Sequence, residues 1–261
     1  MIHYSQKVLI TLLTAAALLT SCKEEESRVM NYYPEGRDIV CLNGEGRYTR
    51  ALYGTNTAFR LETSDRPVFA TFNRKDNYNI RFFLTVGDKT IELDETSWCK
   101  AAYQGGRRVY TVRDDSWGAG ELEVYALASY FNDGAIWRFT AKDFKEPVSM
   151  SVRMCRIAAT KFNRNGDLGV DPREGFEPSE GEQDLQVLEW AADGTSYCLL
   201  QDSNKLSTLT AEQGAPIFEK EEAAKANAFA FRQNRSRETG FSRDYEELIE
   251  LLKHEKENGG Y

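Results

Sequence analysis

Residues 78–95 read YNIRFFLTV-GD-KTIELDE, and this stretch decides the fold class. Tyr78, Ile80, Phe82, Leu84 and Val86 alternate with mostly polar neighbours, the period of two that marks a strand with one face buried. Gly87-Asp88 follows, and Ile91 and Leu93 resume the alternation, so the segment is expected to be a tight hairpin whose glycine supplies a positive φ.

The pattern recurs along the chain. ELEVYALASYF turns through Asn132-Asp133-Gly134 into AIWRFTA, and LQVLEW is expected to turn through Asp193-Gly194 into SYCLLQ. RRVYTVR and VSMSVRMCRIA read as further strands. Strand runs joined by glycine turns, with no helical period between them, imply an all-β antiparallel sandwich.

The end of the sequence differs. Gly214-Ala215-Pro216 introduces IFEKEEAAKANAFAF, where proline suits a first helical turn. RQNRSRETG reads as a polar linker. Ser242 then caps a second helix whose Tyr245, Leu248, Ile249 and Leu252 form one apolar stripe. That stripe needs a partner, and an arm that recruits another chain is the expectation.

The start carries an address. Lys7 precedes an apolar run from Val8 to Leu19, too short to span a bilayer, which takes about 20 residues. The run closes on Leu19-Thr20-Ser21-Cys22, which resembles a bacterial lipobox. That resemblance implies acylation of Cys22 and cleavage before it, several acyl chains being needed for stable anchoring. Lys23-Glu24-Glu25-Glu26 is similar to the export tag that Bacteroidota place after the lipidated cysteine. The expectation is an outer-membrane lipoprotein facing the cell surface. Four segments follow: a signal at 1–21, a tether at 22–36, a β domain at 37–210 and a helical tail at 211–261.

Composition excludes several functions. The 261 residues carry a net charge of −8, and removing the signal takes away one more lysine, which argues against nucleic acid. The two histidines are His3, in the signal, and His254, in the last helix, so the β domain has none for a triad or a histidine zinc site. Cys41, Cys99, Cys155 and Cys198 are far apart and form no CxxC, so buried thiols are expected.

Candidate ligand groups are few. KFNRNGDLGVDP sets Asn163, Asn165, Asp167 and Asp171 around two glycines, and such oxygen-rich turns can hold calcium. Because Asn163 and Asn165 are neutral, a self-bonded turn is favoured over a calcium site, and no other cofactor is expected. Trp137 and Trp190 sit inside strand patterns, whereas Trp117, in DDSWGAG, falls on a turn and is the better candidate for an exposed sugar-stacking platform. No phosphate-cradling GxxxxGK or GxGxxG occurs.

NGEGRYTRALYGTNTAFRLETSDRPVFATF, residues 43–72, together with KFNRNGDLGVDP, resembles an uncharacterised domain family at the N-terminus of large Bacteroidota proteins related to six-hairpin glycosidases. The likeness covers approximately residues 37–201. It implies a galactose-mutarotase-like β-supersandwich, a helical linker and a catalytic (α/α)₆ toroid, the last of which this sequence is expected to lack. Arg47, Arg50, Arg60, Asp65 and Arg66 within the matched stretch are candidates for sugar contacts, with a buried network bracing the sandwich preferred. The expected function is a surface lipoprotein module that binds carbohydrate or assists its degradation, alongside a toroid glycosidase encoded nearby. A stand-alone glycosidase or lyase, and a lipid-anchored scaffold, are the alternatives.

Overall fold

The computed structural model describes residues 31–54, 59–73, 77–157, 176–189 and 194–239. Two antiparallel sheets hold most of them. The first contains β1 (Tyr32–Glu35), β2 (Asp38–Leu42), β8 (Trp98–Gln104), β9 (Arg107–Arg113), β10 (Glu121–Ala128), β11 (Ala135–Lys142), β14 (Gly194–Gln201) and β15 (Lys205–Leu209), side by side in that order. The second is ordered β13 (Pro178–Glu189), β12 (Val148–Ile157), β6 (Tyr78–Val86), β5 (Val68–Phe72), β4 (Arg60–Ser64) and β3 (Tyr48–Tyr53). A short β7 (Lys89–Glu92) also pairs with β6. This is the expected all-β sandwich with a helix after its last strand.

The founding hairpin forms as its sequence dictates. Val86 faces Lys89 across a two-residue turn, and Gly87 sits at φ +60°, where a side chain would be strained and would strike the Glu146 carboxylate. Ile80, Phe82 and Leu84 are fully buried. The other face of β6 is not solvated along its whole length, however, because Asn79 and Arg81 are also buried.

The core lies between the sheets and is dominated by interlocked rings. Trp137 of β11 meets Phe69 of β5 edge-on at 5.5 Å and Phe82 of β6 at 5.6 Å. Phe69 in turn meets Tyr110 of β9 at 5.7 Å, and Phe82 meets Phe139 of β11 at 4.8 Å. Aromatic pairs in such offset geometries add to the gain from area burial alone.

Three expectations differ from the fold. The LQVLEW and SYCLLQ strands do not form a hairpin: β13 pairs with β12 in one sheet, and β14 with β11 and β15 in the other. Residues 190–193 between them lie outside the described residues. The stretch expected as tether contributes β1, which pairs with β2 from Tyr32↔Cys41 to Glu35↔Asp38. The polar stretch expected as linker is helical up to Thr239, since α1 runs from Ala211 to Thr239. Arginine and glutamine are good helix formers whether or not they bury a face.

Helix α1 starts earlier than its proline suggests. Thr210 and Gln213 form a capping box, with the Gln213 N–H donating to Thr210 Oγ1 at 3.4 Å and the Thr210 N–H donating to Gln213 Oε1 at 3.1 Å. Pro216 therefore falls one turn inside the helix. Phe218 is buried on the outer face of the first sheet, against Tyr125, Leu127, Ile136, Tyr197 and Leu199. Gly214 allows this approach, because a Cβ there would overlap the Tyr197 ring.

Trp137→Ala should remove the ring that touches both Phe69 and Phe82, at a cost of about 3–5 kcal/mol. Urea unfolding should show this as a lowered midpoint with an unchanged slope, and a midpoint near that of the wild type would contradict this account of the core.

Candidate functional site

The outer face of the first sheet is only partly covered. Helix α1 lies over β10, β11 and β14, and beside it a groove of about 260 Å³ opens across β2, β8, β9, β10 and β11. Its lining follows from strand parity. Arg108, Tyr110, Val112, Leu122, Val124 and Trp137 point inward, so Arg107, Val109, Thr111, Glu123, Tyr125 and Arg138 point out. Register sets these residues in rows: Ala102 opposes Val109, Val109 opposes Tyr125, and Tyr125 opposes Arg138. One row along, Lys100 opposes Thr111, and Thr111 opposes Glu123.

Six of the polar side chains in the groove, those of Lys100, Gln104, Arg107, Glu123, Tyr125 and Arg138, are held by a neighbour. Arg107 donates from Nη1 to the Tyr125 hydroxyl at 3.1 Å and from Nη2 to Gln104 Oε1. Tyr125 OH donates to Glu222 of α1 at 2.6 Å, so the helix fixes one wall. Burial, together with this bond to a carboxylate, pushes the phenol pKa well above its ordinary value. Arg138 donates to Glu123 at 3.2 Å, and its guanidinium lies 4.9 Å over the Tyr125 ring and 4.7 Å from the Phe218 ring. Lys100 pairs with Glu35 of β1. Asp38, at the far edge, has its carboxyl pKa raised by burial. The result is a shallow surface of hydroxyl, amide, guanidinium and carboxylate groups over a floor that includes one ring.

The residues expected from sequence lie elsewhere. Trp117 is 5 % exposed and leans on Phe144 at 5.6 Å, so it is part of the core and not a stacking platform. The correction has a local cause. Asp114 accepts the Ser116 N–H at 2.9 Å and starts a single 3₁₀ turn, Asp115–Trp117, that rolls the indole inward. Arg60 pairs with the buried Glu62 and lies 4.1 Å over the Phe72 ring. Asp65 is buried and accepts the Gly46 N–H at 2.7 Å. Arg66 donates to three carbonyls: Gly44 at 2.8 Å, Asp94 at 3.2 Å and Thr96 at 2.7 Å. Asp65 and Arg66 thus close a corner of the sandwich, chiefly through backbone groups where an ion-pair network was expected. Arg47 pairs with Glu45 at the surface, and Arg50 donates to the Thr49 carbonyl. Cys22, Asn163, Asn165, Asp167, Asp171, Trp190 and the stripe of Tyr245, Leu248, Ile249 and Leu252 lie outside the described residues. Among the described residues, no three His, Cys, Asp or Glu side chains converge as a metal site, and no helix is long and apolar enough to cross a membrane.

A second polar cluster lies on the outer face of the other sheet. Arg81 donates to Glu92 at 2.8 Å and to Glu177 at 2.7 Å, and Asn79 donates to the Phe176 carbonyl at 2.9 Å. Burial and the adjacent Asp94 carboxylate push Glu92 up to about 7, against the pull of Arg81.

Comparison with known proteins gives a family but no function. Residues 77–226 match a family model described as a domain of unknown function, DUF4450, and the chain belongs to that family. The matched span runs from β6 into α1 and so includes the β8–β11 lining of the groove. No curated protein matches the chain.

The raised Glu92 pKa makes a signed expectation. The folded protein holds this proton more tightly than the unfolded chain, so the stabilisation is complete below the ordinary value of 4.5 and is lost as pH rises through about 7. Glu92→Gln keeps an acceptor for Arg81 and removes the titration. Melting temperatures of wild type should fall relative to Glu92→Gln across that window; a constant difference would show that Glu92 titrates normally.

Proposed function

We propose that this member of a domain family of unknown function is a surface lipoprotein whose sandwich binds carbohydrate without catalysing its cleavage. The observation that carries the reading is the groove beside α1. Its closely set hydroxyl, amide, guanidinium and carboxylate groups, most of them held by a neighbour, suit a ligand rich in hydroxyls, each of which both donates and accepts. Preorganised partners reduce the ordering cost that weak glycan binding must overcome. The β domain contains no histidine for a triad or a histidine zinc site, which supports a binding role over a catalytic one.

The lipobox-like Leu19–Cys22 and the acidic residues after it support a lipid anchor in the outer membrane with the sandwich displayed outward. In this reading the module holds a glycan near a toroid glycosidase, the catalytic partner implied by the resemblance of residues 43–72. No cofactor is required, the calcium alternative resting on Asn163, Asn165, Asp167 and Asp171 alone.

Two experiments test the reading. Cys22→Ala should move the protein from the membrane pellet to the soluble fraction, and unchanged fractionation would remove the anchor. On a glycan array, the detergent-solubilised protein should retain a defined subset of glycans and release no product from them. Binding to none would favour the scaffold alternative, and product release would favour the enzyme.

A further inference from the structure

The charges of the groove point to one class of glycan. Its three cations are all engaged: Lys100 by Glu35, Arg138 by Glu123 at 3.2 Å, and Arg107 by Gln104 and the Tyr125 hydroxyl, with Glu222 at 3.7 Å. Asp38 adds a further acid without a matching free cation. The chain as a whole is acidic, with a net charge of −8. A uronate or sulfate entering the groove would lie beside Glu123 or Glu222, whichever of the two arginines it approached. Like charges so close repel, and the carboxylates already beside Arg107 and Arg138 offset the attraction of these arginines for an incoming anion. A hydroxyl meets no such obstacle. It can accept from an arginine N–H left over by the carboxylate and donate to a carboxylate lone pair left over by the arginine, without breaking either bond.

We infer that the groove selects neutral, hydroxyl-bearing glycans and excludes uronate-containing and sulfated ones. The inference rests on the carbohydrate reading above and adds the class of ligand. Recognition then comes from Arg107, Gln104, Thr111 and Glu123 acting as hydrogen-bonding groups, and the ion pairs keep them in register. Binding should depend little on salt, because no glycan charge is neutralised.

Affinity electrophoresis of the solubilised full chain is the test, with gels containing xyloglucan, β-glucan or mannan as neutral probes and polygalacturonate, alginate or chondroitin sulfate as acidic ones. Retardation is expected in at least one neutral gel and in none of the acidic gels, at low and at high salt alike. Arg107→Ala should weaken it roughly tenfold to a hundredfold, as expected for losing a charged hydrogen-bonding partner. Thr111→Ala, a mild change on the strand surface, should weaken it by a smaller factor while leaving the melting temperature unchanged. Retardation by acidic polysaccharides that fades with salt would overturn the inference and leave the carbohydrate reading standing. Retardation in no gel would overturn both. Neutral binding unaffected by either substitution would place the glycan elsewhere and overturn the assignment to this groove.

Discussion

Trp137 is held between Phe69 and Phe82, and that contact commits the inner face of each sheet. A tryptophan on a central strand of one sheet, seated against rings from two adjacent strands of the other, fixes both the separation and the relative position of the layers. Strand parity does the rest. Once Trp137 points inward, Arg138 must point outward, and its neighbours across the register, Tyr125 and Tyr197, must do so too. The groove is thus a consequence of the core, its side chains being the alternate residues of the strands that build the interior.

The helix decides how much of that outer face remains open. Phe218 covers the part over β10, β11 and β14, and further bonds anchor the element on both sides. Glu221 accepts from the Ser129 hydroxyl and from the Tyr130 N–H at 2.6 Å, and Lys225 donates to the Tyr53 carbonyl of β3 in the opposite sheet. A charged group accepting a backbone N–H at a buried position contributes more than a surface ion pair does. The helix therefore ties the β10–β11 turn of one sheet to the edge strand β3 of the other, which an amphipathic stripe alone would not achieve.

Period-two alternation marks strands such as β6, β9, β10 and β11, because it depends only on each strand having one buried face, whereas β1 is too short and polar to show it. The alternation could not assign strands to sheets. The pairing of β13 with β12, not with β14, is decided by which inner faces interlock, and Asp193-Gly194 carries the same turn signal in either case. Trp117 was misplaced for a related reason: glycine and aspartate mark a turn but not the direction in which its aromatic points. The groove residues were visible as the polar half of RRVYTVR and ELEVY, yet their convergence depends on β2, β8 and β11 lying beside them, a long-range fact. Asp65 and Arg66 stand out in the sequence as charges in a strand-rich stretch, but such a charge looks the same there whether it meets an opposite charge, sugar hydroxyls or backbone groups.

Cys41, Cys99, Cys155 and Cys198 are free and buried, and burial raises the pKa of all four, that of Cys99 to about 12. Only the thiolate reacts readily with alkylating reagents, and these side chains offer neither thiolate nor access. The described domain is therefore chemically silent toward maleimides while folded. A cysteine installed at an exposed position such as Phe131 would be the single reactive thiol on that surface, so a spectroscopic label could be attached beside the helix without first removing the native sulfurs.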